Sequence, residues 1–136
     1  MRVVLDSNII IAAFASRGLC SSLFELCIEK HEVIISEQIL REVSKNLEKK
    51  FRIPRKSINE VVAYLSEFCT ILNCEKLPEN VCRDRDDDGI ISLAFQNAVK
   101  YIITGDKDLL VLEKYKMVRI ITPREFWALS KKSGNI

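Results

Sequence analysis

The sequence has little of the chemistry that builds disulfide frameworks, zinc sites or histidine-based catalysts. It contains one histidine, His31, so a Ser/His/Asp mechanism would have a single residue to draw on. The five cysteines are odd in number and no two have C-x-x-C spacing; they are Cys20, Cys27, Cys69, Cys74 and Cys82. We therefore predict reduced, mostly buried thiols in an intracellular protein, and no zinc site. We expect His31 to be a surface residue in a loop between a helix and a strand.

Long apolar runs and a strong charge bias are also missing. No stretch approaches the roughly 18 uncharged apolar residues of a membrane span. Asp6 and Asn8 interrupt the apolar N-terminal run, which argues against a signal peptide. Lys and Arg number 21 against 19 Asp and Glu, for a formal charge of +2, so bulk charge does not by itself indicate a nucleic-acid partner. We expect a cytoplasmic protein with no membrane partner.

Glycine and proline are scarce, with four and three residues, and they form no linker. We find no internal repeat, no phosphate-binding loop of the form G-x-x-x-x-G-K-[ST] and no G-x-G-x-x-G motif. The 136 residues fit one domain, residues 1–136, which is large enough to bury a core without disulfides.

Short apolar segments alternate with helical patterns along the chain. The apolar segments are rich in β-branched residues and predict buried strands at Val3–Leu5, Val33–Ile35, Tyr101–Ile103 and Val118–Ile121. Apolar spacing predicts helices at Leu19–Lys30, Ser36–Lys49, Ser57–Leu72 and Asp88–Val99, with a last helix after Pro123. This alternation predicts an α/β fold, a three-layer α/β/α sandwich with a mainly parallel central sheet.

Acidic side chains follow two of the predicted strands, where the sites of such sheets usually form. Asp6 follows the first strand, with Asn8 two residues on, and Asp106 follows the third. Both are candidate site residues. The alternative is that each carboxylate only caps the next helix.

Two further acidic features accompany them. Asp86, Asp87 and Asp88 open a predicted helix, with Asp84 just before them. Acids stabilise a helix N-terminus, but three in a row repel one another unless they are solvated or hold a cation. Glu42 flanks the apolar stripe of its helix and can reach the rim of the sheet, although an ordinary surface glutamate is the alternative.

Together these acids point to a cation. Carboxylates about 5 Å apart repel by roughly 3 kcal/mol per pair at an effective dielectric near 20. Hard oxygen ligands without paired thiols or a candidate histidine favour one or two Mg²⁺ or Mn²⁺ ions over Zn²⁺. Basic residues cluster in the segment after Glu42, and Lys45, Lys49, Lys50 and Arg52 are candidates for contacts to nucleic-acid phosphates. A solvated helix end is the alternative for that segment.

With these positions identified, the chain resembles the PIN-domain family from Met1 to about Trp127. The closest likeness is to the VapC-like branch, the toxin components of toxin–antitoxin pairs. The resemblance is carried by Val3-Val4-Leu5-Asp6-Ser7-Asn8, by the segment Ser36–Val43, by Asp84-Arg85-Asp86-Asp87-Asp88 and by Tyr101-Ile102-Ile103-Thr104-Gly105-Asp106-Lys107-Asp108. Each motif alone is weak, but four in order are fairly specific. The chain departs from the pattern at Arg85, which replaces a proline, and at Asp88-Gly89, which replaces Asn-Lys.

The resemblance implies a metal-dependent endoribonuclease that hydrolyses RNA phosphodiester bonds. Carried over residue by residue, the site carboxylates are Asp6, Glu42, Asp87 and Asp106, with Asp6, Asp87, Asp106 and Asp108 as metal ligands and Asn8 and Thr104 as polar support. Asp86 and Asp88 remain alternatives to Asp87. The resemblance also implies an antitoxin protein as a partner and a homodimer.

Three other functions compete with this one. A receiver-type phospho-acceptor domain places aspartates at strand ends but needs paired acids after the first strand, where this chain has Ser7 and Asn8. A haloacid-dehalogenase-like phosphatase needs D-x-D there, and Asn8 occupies the second place. The third alternative is a non-catalytic binding module whose acids cap helices or bind a partner.

Overall fold

The structure, a computed structural model, describes residues 1–75 and 85–133 of the chain. Within that part, six strands form one sheet: β1 (Arg2–Leu5), β2 (Glu32–Ile35), β3 (Thr70–Ile71), β4 (Tyr101–Ile103), β5 (Lys114–Tyr115) and β6 (Val118–Ile121). The helices are α1 (Ser7–Ala15), α2 (Leu19–Lys30), α3 (Glu37–Lys49), α4 (Arg55–Phe68), α5 (Arg85–Gln96), α6 (Lys107–Leu110) and α7 (Pro123–Ser133). Cys82, Asp84 and the side chain of Asp86 lie outside the described residues.

The strands follow the order β3-β2-β1-β4-β6-β5, and only β5 runs antiparallel to its neighbour. Strand β1 therefore lies inside the sheet, paired with β2 on one side and β4 on the other. Its residues Val3, Val4 and Leu5 are fully buried although consecutive side chains point to opposite faces, so helices cover both faces. The predicted α/β/α sandwich with a mainly parallel sheet is confirmed.

Helix α1 was not among the predicted helices. Its run Ile9-Ile10-Ile11 is β-branched, which favours strands in isolation. The helix forms because the Asp6 side chain caps it, accepting the Ile9 N–H at 3.0 Å, and because all three isoleucines are buried. Local propensity is overridden by a cap and by packing.

The predicted helix Ser57–Leu72 is too long at its C-terminal end. Helix α4 stops at Phe68, and Cys69 takes an extended conformation. The next two residues form β3 and pair with Ile34 and Ile35 of β2. Leu72 continues the apolar stripe in the sequence, but the β-branched pair before it adds a strand to the sheet edge instead.

Two smaller features also differ from the predictions. Helix α5 ends at Gln96 instead of Val99, because Ala98 takes a left-handed conformation (φ 54°) and the Val99 N–H bonds back to the Ala94 carbonyl at 3.0 Å. His31 is half-buried instead of fully on the surface. Its ring packs edge-on against that of Phe126, with the centroids 5.7 Å apart. Burial lowers the pKa of His31, and the nearby N-terminal charge lowers it further.

Among the described residues, no single helix is long and apolar enough to span a membrane. Helices α1 and α2 reach the required length and composition only as a pair, and they are bent by 109° at the break between them.

Candidate functional site

The candidate site lies where the carboxyl ends of β1 and β4 meet. Leu5 pairs with Ile103 at the end of the parallel ladder, and the Asp6 N–H extends it by donating to the Ile103 carbonyl at 3.2 Å. The residues that follow β1 and β4 are therefore held side by side. This register brings Asp6 next to Thr104, 98 positions away in the sequence.

Asp6 is a buried carboxylate, only 4% exposed, with a donor on each oxygen. Oδ1 accepts the Ile9 N–H, and Oδ2 accepts the Thr104 hydroxyl. Burial raises the pKa of Asp6 above its ordinary value, the charge of Asp106 raises it further, and the bonds from Thr104 and Ile9 oppose the rise. Asp6 therefore caps α1 and also faces a second acid, so its capping role and a site role are compatible.

Thr104 connects the two acids. Its side chain is fully buried, and its Oγ1 donates to Asp6 and accepts the Asp106 N–H at 2.9 Å. Asp106 in turn caps α6, because its Oδ1 accepts the Asp108 N–H at 2.9 Å. One hydroxyl thus fixes the distance between the β1 end and the β4 end at the site.

Helix α5 contributes a third acid. Asp87 is 6% exposed, and one of its carboxylate oxygens lies within 4.8 Å of oxygens on both Asp106 and Asp108. Asp106 is half-buried and Asp108 is exposed. Asp88, the next residue on α5, is half-buried and is not part of this group. Three carboxylate oxygens at this spacing, one of them on a buried side chain, form a donor set suited to a hard divalent cation.

Glu42 reaches the site from α3, where each of its oxygens accepts a hydrogen bond. Oε2 accepts the Ser7 hydroxyl at 2.8 Å, and Oε1 accepts the side-chain amide of Gln38 at 3.1 Å. Gln38 is one helical turn before Glu42, and Ser7 is the first residue of α1. Glu42 is therefore a fixed group, although the sequence alone is equally compatible with a mobile surface glutamate.

These side chains surround a cleft of about 310 Å³. We call it the acid cleft, and its lining residues are Asp6, Ser7, Asn8, Glu42, Lys45, Asn46, Lys50, Asp87, Ile90 and Asp106. The structure thus brings Asp6, Glu42, Asp87 and Asp106 together, with Thr104 hydrogen-bonded to Asp6 and Asp108 close to Asp87 and Asp106. Of the four candidate RNA contacts, Lys45 and Lys50 line the cleft, whereas Lys49 and Arg52 do not.

Sequence reasoning did not identify Ser7, Gln38 or Asn46 as part of the site. Ser7 had a usable signal, because it follows Asp6 directly at a strand end. Gln38 had only its spacing of four residues from Glu42, which puts the two side chains on one helix face. That spacing is too common among surface residues to identify a functional contact.

Comparison with known proteins agrees with this architecture. Residues 2–108 match the PIN domain family. The chain is similar to the uncharacterized protein MJ1680 of Methanocaldococcus jannaschii, with 34% identity over 93% of this chain and 89% of that protein.

Three solved structures share the fold. PAE2754 from Pyrobaculum aerophilum has a TM-score of 0.65 and 16% identity, and the match covers 93% of this chain and 92% of that one. VapBC2 from Rickettsia felis, bound to a DNA fragment from its promoter, has a TM-score of 0.60 and 15% identity, with coverage of 90% and 98% in the same order. The PIN domain endonuclease Utp24 has a TM-score of 0.55 and 21% identity, with coverage of 89% and 84%. The family match covers most of the sequence, including all four segments that build the acid cleft. This chain belongs to the PIN domain family.

Proposed function

We propose that the protein is a metal-dependent endoribonuclease and that the acid cleft is its active site. The observation that carries the proposal is the convergence of Asp6, Glu42, Asp87 and Asp106, from four separate segments, on one cleft. Membership of a family that includes nucleases supports it, as does the structural likeness to a PIN domain endonuclease. Helix capping explains why Asp6 and Asp106 are acidic, but it does not explain why Asp87 and Glu42 face them.

The donor set fits Mg²⁺ or Mn²⁺, as one or two ions. Asp87, Asp106 and Asp108, whose carboxylate oxygens lie within 4.8 Å of one another, would hold the metal, and Asp6 lines the same cleft. A divalent cation bound there would lower the pKa of a coordinated water and would neutralise charge on a phosphodiester. The buried Thr104 hydroxyl keeps Asp6 oriented. Glu42, held by Ser7 and Gln38, retains free lone pairs that can accept a hydrogen bond from water in the cleft.

The basic residues at the rim support an anionic substrate. Lys45 and Lys50 line the acid cleft, and Lys45 also lines a neighbouring groove of about 620 Å³ between α3 and α4. Arg41 and Arg55 lie in that groove, each within 4.0 Å of a glutamate. In the proposed complex, Lys45 and Lys50 contact RNA phosphates beside the scissile bond.

Cleavage of labelled single-stranded RNA with Mg²⁺ or Mn²⁺ tests the proposal. We expect Asp87→Asn and Asp106→Asn each to reduce the rate by about 100-fold, since charge-bearing groups of the site are removed without loss of volume. Asp88→Asn is the matched control for Asp87, and it should retain most of the activity. In the same way, Lys45→Ala should weaken RNA binding more than Lys49→Ala.

Three outcomes would contradict the proposal. Cleavage that persists in the Asp87 and Asp106 variants would identify a contaminating ribonuclease. Equal loss in the Asp87 and Asp88 variants would place the site elsewhere. Absence of both cleavage and Mn²⁺ binding would favour a non-catalytic binding module.

A role as a toxin, with an antitoxin protein as partner, is the finer part of the proposal. It is supported by the four motifs shared with the VapC-like branch and by the structural likeness to VapBC2. Expression in a bacterial host should arrest growth for the wild type and leave growth normal for Asp106→Asn. Normal growth with well-expressed wild-type protein would argue against the toxin role while leaving the nuclease proposal standing.

We also propose a homodimer, which light scattering of the purified protein tests directly.

A further inference from the structure

Gln38 lies between two helices that each carry an acid of the cleft. It is half-buried on α3, and its Nε2 donates to Glu42 Oε1 at 3.1 Å. Its other side faces α5, the helix of Asp87. The side-chain amide therefore lies between the Glu42 carboxylate and the backbone of α5.

The amide meets α5 at Gly89, where no side chain intervenes. A Cβ placed on Gly89 would lie 3.1 Å from Gln38 Oε1, closer than most Cβ contacts, and 3.9 Å from Gln38 Cδ, an ordinary van der Waals distance. The orientation follows from chemistry. A carboxylate only accepts hydrogen bonds, so the amide must turn its NH₂ group to Glu42, and Oε1 is then directed at Gly89.

The glycine needs an explanation, because it lies within α5. Glycine in a helix costs roughly 1 kcal/mol relative to alanine. Gly89 also adopts no left-handed conformation, so its backbone does not require a glycine. The nearest group that a side chain at this position would meet is the Gln38 amide, which would have to shift by a few tenths of an ångström to admit it.

We propose that Gln38 is a positioning residue of the acid cleft, which sets Glu42 relative to Asp87 by lying against the bare backbone of Gly89. The inference rests on the proposed function, in that a metal held in the cleft is what responds to the positioning. Gln38 itself does not contact the metal or the substrate. It holds Glu42 through a hydrogen bond and packs against α5, the helix that carries Asp87.

The first measurement is the Mn²⁺ affinity of the wild type, Gln38→Ala and Gln38→Met, with binding monitored by electron paramagnetic resonance. Methionine keeps the length and much of the volume of the side chain but cannot donate to Glu42. We expect both variants to bind Mn²⁺ about tenfold more weakly, since partners that orient the acids of a metal site contribute on this scale. Wild-type affinity in Gln38→Met would overturn the proposal, because packing alone would then be sufficient.

The second measurement needs no metal. Thermal unfolding is followed for Gly89→Ala in the wild type and in the Gln38→Ala background. An added Cβ gains helix propensity in both, but it meets the amide only when Gln38 is present. We therefore expect Gly89→Ala to raise Tm in the Gln38→Ala background and to raise it less, or lower it, in the wild type. Equal shifts in the two backgrounds would show that the contact does not constrain the amide, which would refute the proposal.

The two measurements separate this inference from the function on which it rests. If the wild type and Asp106→Asn bind Mn²⁺ equally weakly, the proposed metal site is wrong and Gln38 has no role there. If the wild type binds Mn²⁺ tightly and Gln38→Met binds it equally well, the metal site stands and only the positioning role is wrong.

Discussion

Replacement of Thr104 by valine should destabilise the protein in a way that depends on pH. Valine has nearly the same shape, so the fully buried position at the end of β4 stays filled. What is lost is one hydroxyl, which donates to Asp6 and accepts the Asp106 N–H. The substitution therefore removes two hydrogen bonds of the acid cleft without creating a cavity.

The size of the effect follows from the charge on Asp6. A hydrogen bond to a charged group contributes roughly 1.5–3 kcal/mol and a neutral one roughly 0.5–1.5 kcal/mol, so Thr104→Val should reduce the free energy of unfolding by about 2–4 kcal/mol at neutral pH. At about 4 °C per kcal/mol for a domain of this size, Tm should fall by about 8–16 °C.

The pH dependence follows from the pKa of Asp6, which burial raises above its ordinary value of 3.8. For an acid with a raised pKa in the folded state, the contribution to stability is fully present below the unfolded pKa and is lost as pH rises through the folded pKa. The Thr104 hydroxyl limits that loss by lowering the pKa of Asp6. The cost of losing the bond to Asp6 should therefore be small near pH 4 and should grow as pH rises through the pKa of Asp6, whereas the loss of the bond from the Asp106 N–H, roughly 0.5–1.5 kcal/mol, is the same at every pH.

Urea unfolding from pH 4 to 8, in buffer with EDTA, measures this difference. Thr122→Val is a matched control, because the Thr122 hydroxyl accepts the Glu125 N–H at 3.1 Å at the start of α7, and the one acid that Thr122 bonds among the described residues, Glu125, is exposed. We expect its cost, about 1 kcal/mol, to be independent of pH. If Thr104→Val loses the same stability at every pH, or none, the argument that this hydroxyl supports a buried charge is wrong.

Two other predictions concern parts of the molecule away from the acid cleft. Burial raises the pKa of Cys27 and Cys69 to about 12. Iodoacetamide at pH 8 should therefore modify the half-buried Cys20 and Cys74 well before Cys27 and Cys69, as measured by mass spectrometry. Similar modification rates for these four cysteines would contradict the burial of Cys27 and Cys69. Ala98→Gly should raise the free energy of unfolding by roughly 0.5–1 kcal/mol, because Ala98 is left-handed (φ 54°) and glycine adopts that conformation without a Cβ clash. A lower urea midpoint for the variant would show that the turn at Ala98 is not strained.

The sequence predicted the parallel sheet because continuous β-branched runs of three or four residues have few alternatives in a chain of this size. Val3–Leu5 and Tyr101–Ile103 were placed correctly, and the acids after them were identified from the rule for strand ends alone. The same logic did not reach β3 or β5. Two-residue strands have no periodicity of their own and form only because a sheet edge is already there to pair with.

The detailed chemistry of the site was harder to predict for a different reason. Which of Asp86, Asp87 and Asp88 faces the cleft depends on the rotation of α5, and one residue turns a helical side chain by about 100°. The hydrogen bond from Ser7 to Glu42 depends on how α1 packs against α3, and the close approach of Gln38 to Gly89 depends on how α3 packs against α5. Apolar patterns determine which face is buried, whereas hydrogen-bond partners depend on positions to within a fraction of an ångström.

The bond between Thr104 and Asp6 also has a consequence for the order of events during synthesis. It joins residues 98 positions apart, and at roughly 5 to 20 residues per second the ribosome adds Thr104 about 5 to 20 s after Asp6. Between the addition of Glu42 and that of Asp87, the growing chain carries Asp6 and Glu42 but none of the residues from α5 and the end of β4 that complete the cleft. Whatever the cleft does, a nascent chain cannot do it, and a chain released early would carry isolated acids with nothing to hold them together.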